Sequence, residues 1–98
     1  MFLVTLSQSG PRWDYAQPLE GQSMWAAHAE FMDALVDRGF VVLGGPLNDA
    51  RVVLAVAAAS AEQIRETLAQ DPWSGSHLHL EAIEPWTIRL DGTRRASA

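Results

Sequence analysis

The hydrophobic pattern of the chain changes period several times, and each change marks an element. Residues 2–7 are apolar, aromatic or β-branched with no breaker, which predicts a strand. A long connection over 8–21 follows, broken by Gly10, Pro11, Pro18 and Gly21. Connections of this length inside a small domain tend to carry function. Over 22–38 the spacing becomes helical. Met24, His28, Phe31 and Leu35, with Trp25, Met32 and Val36 beside them, form one stripe, and Gly39 suits the left-handed position that ends a helix. A second strand is predicted over 40–43, closing at Gly44-Gly45-Pro46, with a turn at Asn48-Asp49. A third covers 51–58. Ser60 and Gln63 have the spacing of a capping box and start a second helix over 61–70, whose buried side is marked by Ile64 and Leu68. Asp71-Pro72 stops it, because a residue before proline is pushed out of the helical region. A last strand over 78–90 is expected to bend near Glu84-Pro85, where alternation fails.

The order strand, helix, strand, strand, helix, strand predicts an α+β domain, the split βαβ or ferredoxin-like fold, with a four-stranded antiparallel sheet. Its two middle strands are apolar on both sides: Phe40 and Val42 against Val41 and Leu43, then Val52, Leu54 and Val56 against Val53, Ala55 and Ala57. A sheet with helices on one face and water on the other should alternate. The second face therefore needs a cover, and a second copy of the chain supplies one by symmetry, giving a homodimer through the sheet face. The other reading is that small alanines tolerate exposure.

Length and composition narrow the picture. A chain of 98 residues is one domain, taken as 1–91, with a polar tail over 92–98 expected to be disordered. The net charge is −5, all seven basic residues are Arg, and no basic stripe forms, so nucleic acid is not an expected partner. There is no Cys, which removes disulfides, thiolate metal sites and Cys nucleophiles. No apolar run has membrane-spanning length, and the apolar start lacks the basic flank of a signal peptide, so a cytoplasmic protein without membrane contact is expected.

Topology decides which residues can meet. In this arrangement the loop after the first strand, the start of the first helix, the turn around 44–48 and the end of the second helix gather at one end of the sheet. His28 is placed about two turns into the first helix, roughly 9 Å from its start. Asp71 lies just past the second. A half-buried imidazole beside a carboxylate can move protons near neutral pH. The other reading of His28 is a core histidine bonded to a backbone carbonyl, and of Asp71 a helix-terminating residue. Trp13, Trp25 and Trp73 either line a pocket for an apolar small molecule or fill core and interface; Trp86 is assigned to packing. Gly44, Gly45 and Pro46 allow close ligand approach or a tight strand exit. Arg12 and Asp14 reach the site mouth or are solvated. His77 and His79 share a strand face at a spacing that can hold metal, with Glu81 as the only further candidate; exposed strand histidines without metal are the preferred reading.

The chain resembles the YciI-like (YCII-related) family over 2–90. The matching pieces are Trp25-Ala26-Ala27-His28-Ala29-Glu30-Phe31-Met32-Asp33-Ala34-Leu35, Gly39-Phe40, Gly44-Gly45-Pro46-Leu47, Asp71-Pro72-Trp73 and Ile83-Glu84-Pro85-Trp86. The resemblance implies a dimeric α+β barrel and a cleft with a His–Asp pair, which maps onto His28 and Asp71. Most members have no established activity; a relative is a chloromuconolactone dehalogenase, and muconolactone isomerases share the fold. The loop over 8–21 exceeds that of the shortest members, so pocket shape is not carried over. The expected function is a cofactor-free lyase, isomerase or dehalogenase acting on a small organic acid or lactone. In it His28 and Asp71 are catalytic, and Trp25, Gly45, Pro46, Trp73 and Arg12 contact the substrate. The alternatives are a non-enzymatic small-molecule-binding or accessory protein using the same cleft, and a cofactor-free or haem-linked monooxygenase.

Overall fold

The computed structural model describes residues 1–48 and 50–95. It contains strands β1 (Phe2–Gln8), β2 (Val41–Pro46), β3 (Arg51–Val56) and β4 (Leu78–Pro85), with helices α1 (Trp25–Asp37) and α2 (Ala61–Leu68). Short 3-10 turns lie at Leu19–Gly21 and Gly92–Arg95. The order is β-α-β-β-α-β, and the four-stranded sheet has the order β2-β3-β1-β4 with every pairing antiparallel. This is the expected α+β, ferredoxin-like arrangement. Among the described residues no helix is long and apolar enough to cross a membrane. Part of the expected tail is therefore a 3-10 turn, while 96–98, like Asp49 of the expected turn, lie outside the described residues.

Register sorts the side chains between two faces. Val4 opposes Leu54 and Phe2 opposes Val56, so these share the inner face, where Val4, Leu54, Val56, Val41, Ile64 and Leu68 are buried together. Each such aliphatic side chain contributes about 1.5–3 kcal/mol relative to exposure. The outer face carries Leu3 opposite Ala55 and Thr5 opposite Val53, all half-buried, with Leu43 exposed at 60%. β2 does not alternate simply. Its register against β3 shifts between Val41 and Leu43, so Val41 opposes Val56 on the inner face while Leu43 opposes Ala55 on the outer. The strand also runs on to Pro46, because Gly44, Gly45 and Pro46 pair with Leu54, Val53 and Val52. In β4 the irregularity falls opposite Thr5 and Leu6, around Glu81, instead of near Glu84-Pro85. Glu81 accepts a hydrogen bond from the Ser7 hydroxyl at 2.8 Å. The strand ends at Pro85, and Trp86, assigned to packing, is 45% exposed.

The helix ends follow from local chemistry. Ser60 Oγ accepts from the Gln63 backbone N–H at 3.1 Å, and Gln63 reaches back to the N–H of Ala59, one residue earlier than a simple capping box requires. Gly39 has φ +76° after α1; its N–H bonds Val36 O, and Phe40 N–H bonds Leu35 O. That pair of bonds closes the helix in a Schellman turn, with Leu35 and Phe40 both buried. The start of α1 departs from expectation. The helix begins at Trp25 because Met24 is left-handed at φ 61°. Gln22, expected inside the helix, instead staples the preceding loop: its side chain bonds Asp14 N–H, Asp14 O and Gln17 O.

Gly39→Ala should destabilise the fold by about 1–2 kcal/mol, the cost of forcing a Cβ into left-handed backbone. Urea denaturation should show a lower midpoint with an unchanged slope.

Candidate functional site

Two helix ends build the site. α1 offers His28 from its first turn, the position of the first intrahelical bond, from His28 N–H to Met24 O. It is one turn into the helix, not two, because the helix starts late. After α2, Asp71 N–H bonds Leu68 O, and Asp71 Oδ1 accepts from Trp73 N–H at 3.0 Å. This local Asx turn aims the carboxylate back at α1. His28 Nδ1 lies 2.9 Å from Asp71 Oδ1 and 2.8 Å from Oδ2. Both residues are buried.

The pairing fixes the imidazole. A carboxylate only accepts, so Nδ1 carries the hydrogen and Nε2 keeps the lone pair. Among the described residues Nε2 has no hydrogen-bond partner, and it is not sealed from solvent. Behind the ring, Trp73 stacks at 4.0 Å between centroids and 5° between planes. Trp25 lies 5.8 Å from both rings, and Trp13 meets Trp73 edge-on at 6.0 Å. Trp73 is fully buried; it backs His28 and is also part of the wall of the cavity that His28 faces. Its indole N–H donates to Ser23 O at 2.8 Å.

His28 opens onto a cavity of about 430 Å³ between α1 and the inner face of β2 and β3. Its lining is mostly apolar, including Leu6, Leu19, Trp25, Met32, Val52 and Leu54. Gly44, Gly45 and Pro46 line it as well. The charged or ionisable lining residues are His28, Asp71 and Asp33; none is Arg. Arg12, expected at the site, is not among them. Its backbone N–H bonds Ser76 O at 2.9 Å, and its side chain is exposed. Arg51, on β3, is also absent from the lining and stands opposite Ser7.

His77 and His79 do not form a pair. His79 is exposed opposite Ser7, whereas His77 precedes β4 and is fully buried, contrary to the reading of both as exposed strand histidines. His77 Nε2 lies 2.8 Å from the Ser23 hydroxyl and Nδ1 2.9 Å from the Ser76 hydroxyl, and its ring stacks on Trp73 at 4.9 Å. Among the described residues no group of three or more His, Cys, Asp or Glu is placed to hold a metal ion. Burial pushes His77 below its ordinary pKa, the charges of Arg12 and His28 add to this, and Asp71 opposes it. Sequence reasoning missed this cluster. Ser76 and His77 are adjacent, but Ser23 lies in a distant loop, and no spacing signal links them. The docking needs Gly10, at φ +132°: a Cβ there would come within 2.5 Å of Ser76 O.

No protein family, curated protein or solved structure matches this chain.

Because His77 is harder to protonate folded than unfolded, the unfolded chain binds more protons below the ordinary histidine pKa of 6.5. Melting temperature should therefore fall as pH drops through about 6.5. It should fall less in His77→Gln, as followed by circular dichroism.

Proposed function

We propose that this chain is a YciI-like protein in which His28 moves a proton on a small, uncharged carbonyl compound, of which a lactone is the simplest type. The reaction is a cofactor-free isomerisation, elimination or dehalogenation. The observation that carries this reading is the division of labour on one ring: both Asp71 oxygens hold His28 Nδ1, while Nε2 opens into an apolar cavity. A neutral Nε2 takes a proton from carbon next to the carbonyl, and the imidazolium formed is stabilised by Asp71. In an isomerisation the imidazolium returns the proton to another carbon; in an elimination or dehalogenation the leaving group departs with its electron pair as an anion, and the proton passes to it or to water.

The lining favours a lactone over a small organic acid. A carboxylate substrate would leave water for a pocket that holds Asp33 and Asp71 and no Arg, so it would be repelled. A lactone carries its polar atoms without net charge, and its ring is suited to Trp25, Met32 and Leu54. The test is exchange of α-hydrogens in deuterated water, followed by NMR over a panel of small lactones. Wild-type protein should catalyse exchange, and His28→Gln should lose it by about 10²–10⁴-fold while still binding. Binding without exchange by the wild type would establish a carrier and defeat the catalytic reading.

We also propose that the working form is a homodimer joined through the outer face of the sheet. Leu3, Leu43, Val53 and Ala55 give that face an apolar centre, flanked by Arg51 and Glu84. A symmetric partner presents the same centre in return. Sedimentation velocity should show a dimer for the wild type and a monomer for Val53→Glu. A monomeric wild type would exclude this assembly.

A further inference from the structure

We infer that Ser23 is a second reactive centre: a nucleophilic hydroxyl, activated by His77, that accepts acyl groups from activated donors such as aryl esters, thioesters or acyl phosphates. Nothing in the His28 chemistry uses it, and Ser23 is not among the residues lining the His28 cavity.

The hydrogen-bond network accommodates the proton positions this requires. Ser76 O–H donates to Pro72 O at 3.3 Å. In the proposed arrangement the Ser76 oxygen accepts from His77, 2.9 Å away, with the ring hydrogen on Nδ1. Nε2 keeps its lone pair, and Ser23 O–H donates to it at 2.8 Å. The order serine, imidazole, acceptor is that of an activated nucleophile, with a hydroxyl in the place of the usual carboxylate. Ser23 is exposed while His77 has no exposed surface, so the nucleophile is accessible and its base is shielded from water.

The surroundings support the role. Trp73 holds both partners, stacking on His77 and fixing Ser23 O through its indole N–H. Met24, next in the chain, is in strained left-handed backbone, so the segment is held against its own preference. His77 is held toward its neutral form, as a base requires. Arg12 is near enough to act on His77, and the uncapped first turn of α1 begins two residues after Ser23; both favour negative charge developing there.

Burial of the base also selects the substrate. As Ser23 Oγ attacks the acyl carbon, its proton passes to His77 Nε2, and the bond from that carbon to the leaving oxygen or sulfur breaks. Groups that leave as stable anions need no proton from the shielded base, so they are the ones served. As the leaving group moves off, a water entering at the exposed Ser23 takes the proton from Nε2, which balances the released anion. Water hydrolyses the acyl-serine to Ser23 and a carboxylic acid, slowly, because the shielded base activates water poorly.

The test is p-nitrophenyl acetate with the full chain. The expected result is a burst of roughly one equivalent of p-nitrophenolate per chain followed by slow turnover, with the acetyl group mapped to Ser23 by peptide mass spectrometry. Ser23→Ala should lose the burst, and His77→Gln should slow it by about 10²-fold or more. Ser76→Ala keeps His77 and should also slow it, with folding checked by thermal melting. The groups acting on His77 are Arg12, His28 and Asp71, and the burst rate should fall with acidification, with a midpoint below the ordinary histidine value of 6.5. A folded wild type with no burst, a burst unchanged in Ser23→Ala or in folded Ser76→Ala, or an acetyl group mapped elsewhere would overturn the assignment.

Discussion

The contact between His28 Nδ1 and the Asp71 carboxylate is the constraint around which this molecule is organised. It joins the first turn of α1 to the residue that stops α2, so the two βαβ halves are tied at one end of the sheet. Both groups are buried, and neither would be tolerated there alone. Removing one partner of such a pair costs about 3–5 kcal/mol, because the other is left uncompensated. The arrangement also orients the ring. A bond to both carboxylate oxygens fixes the tautomer, and stacking on Trp73 fixes the plane, so the free nitrogen faces a defined space.

Trp73 connects this pair to the rest of the site. Its carbonyl accepts from the N–H groups of Ser76, His77 and Leu78, which coils the segment between α2 and β4 around it. Its ring is stacked by His28 and by His77, and its N–H holds Ser23. The loop before α1 is thereby pinned, and Met24 can occupy left-handed backbone at a cost of about 1–2 kcal/mol that these anchors offset. One fully buried indole thus positions two imidazoles and one hydroxyl, each with a different environment: His28 open to an apolar cavity, His77 sealed, and Ser23 at the surface.

Legibility in the sequence followed the range of the forces involved. Local signals were read well. Gly39 marked the end of α1, Ser60 marked the start of α2, and Asp71-Pro72 marked its stop. Errors came where a tertiary contact overrode a local pattern. The helical stripe runs through Met24, yet Gln22 is spent on the loop and the helix waits for Trp25. The apolar run 40–43 looks like plain alternation, yet the register shift at Val42 sends Val41 inward and Leu43 outward. His77 and His79 have strand spacing, yet His77 lies before the strand and is drawn under Trp73.

Sequence by itself determined the element order and the fold class, because helical stripes, caps and breakers act within a few residues and the split βαβ order leaves few ways to pack; for His28 and Asp71 spacing left a core histidine and a helix stop as alternatives, and the family resemblance singled out the pair. Tertiary structure decided what those residues can do. It placed Arg12 and Arg51 outside the cavity, put Trp73 behind His28, and joined Ser23 to His77 across 54 positions of chain. Those outcomes depend on which side chains lose water together, and that is set by packing in three dimensions, where distance along the chain carries no information.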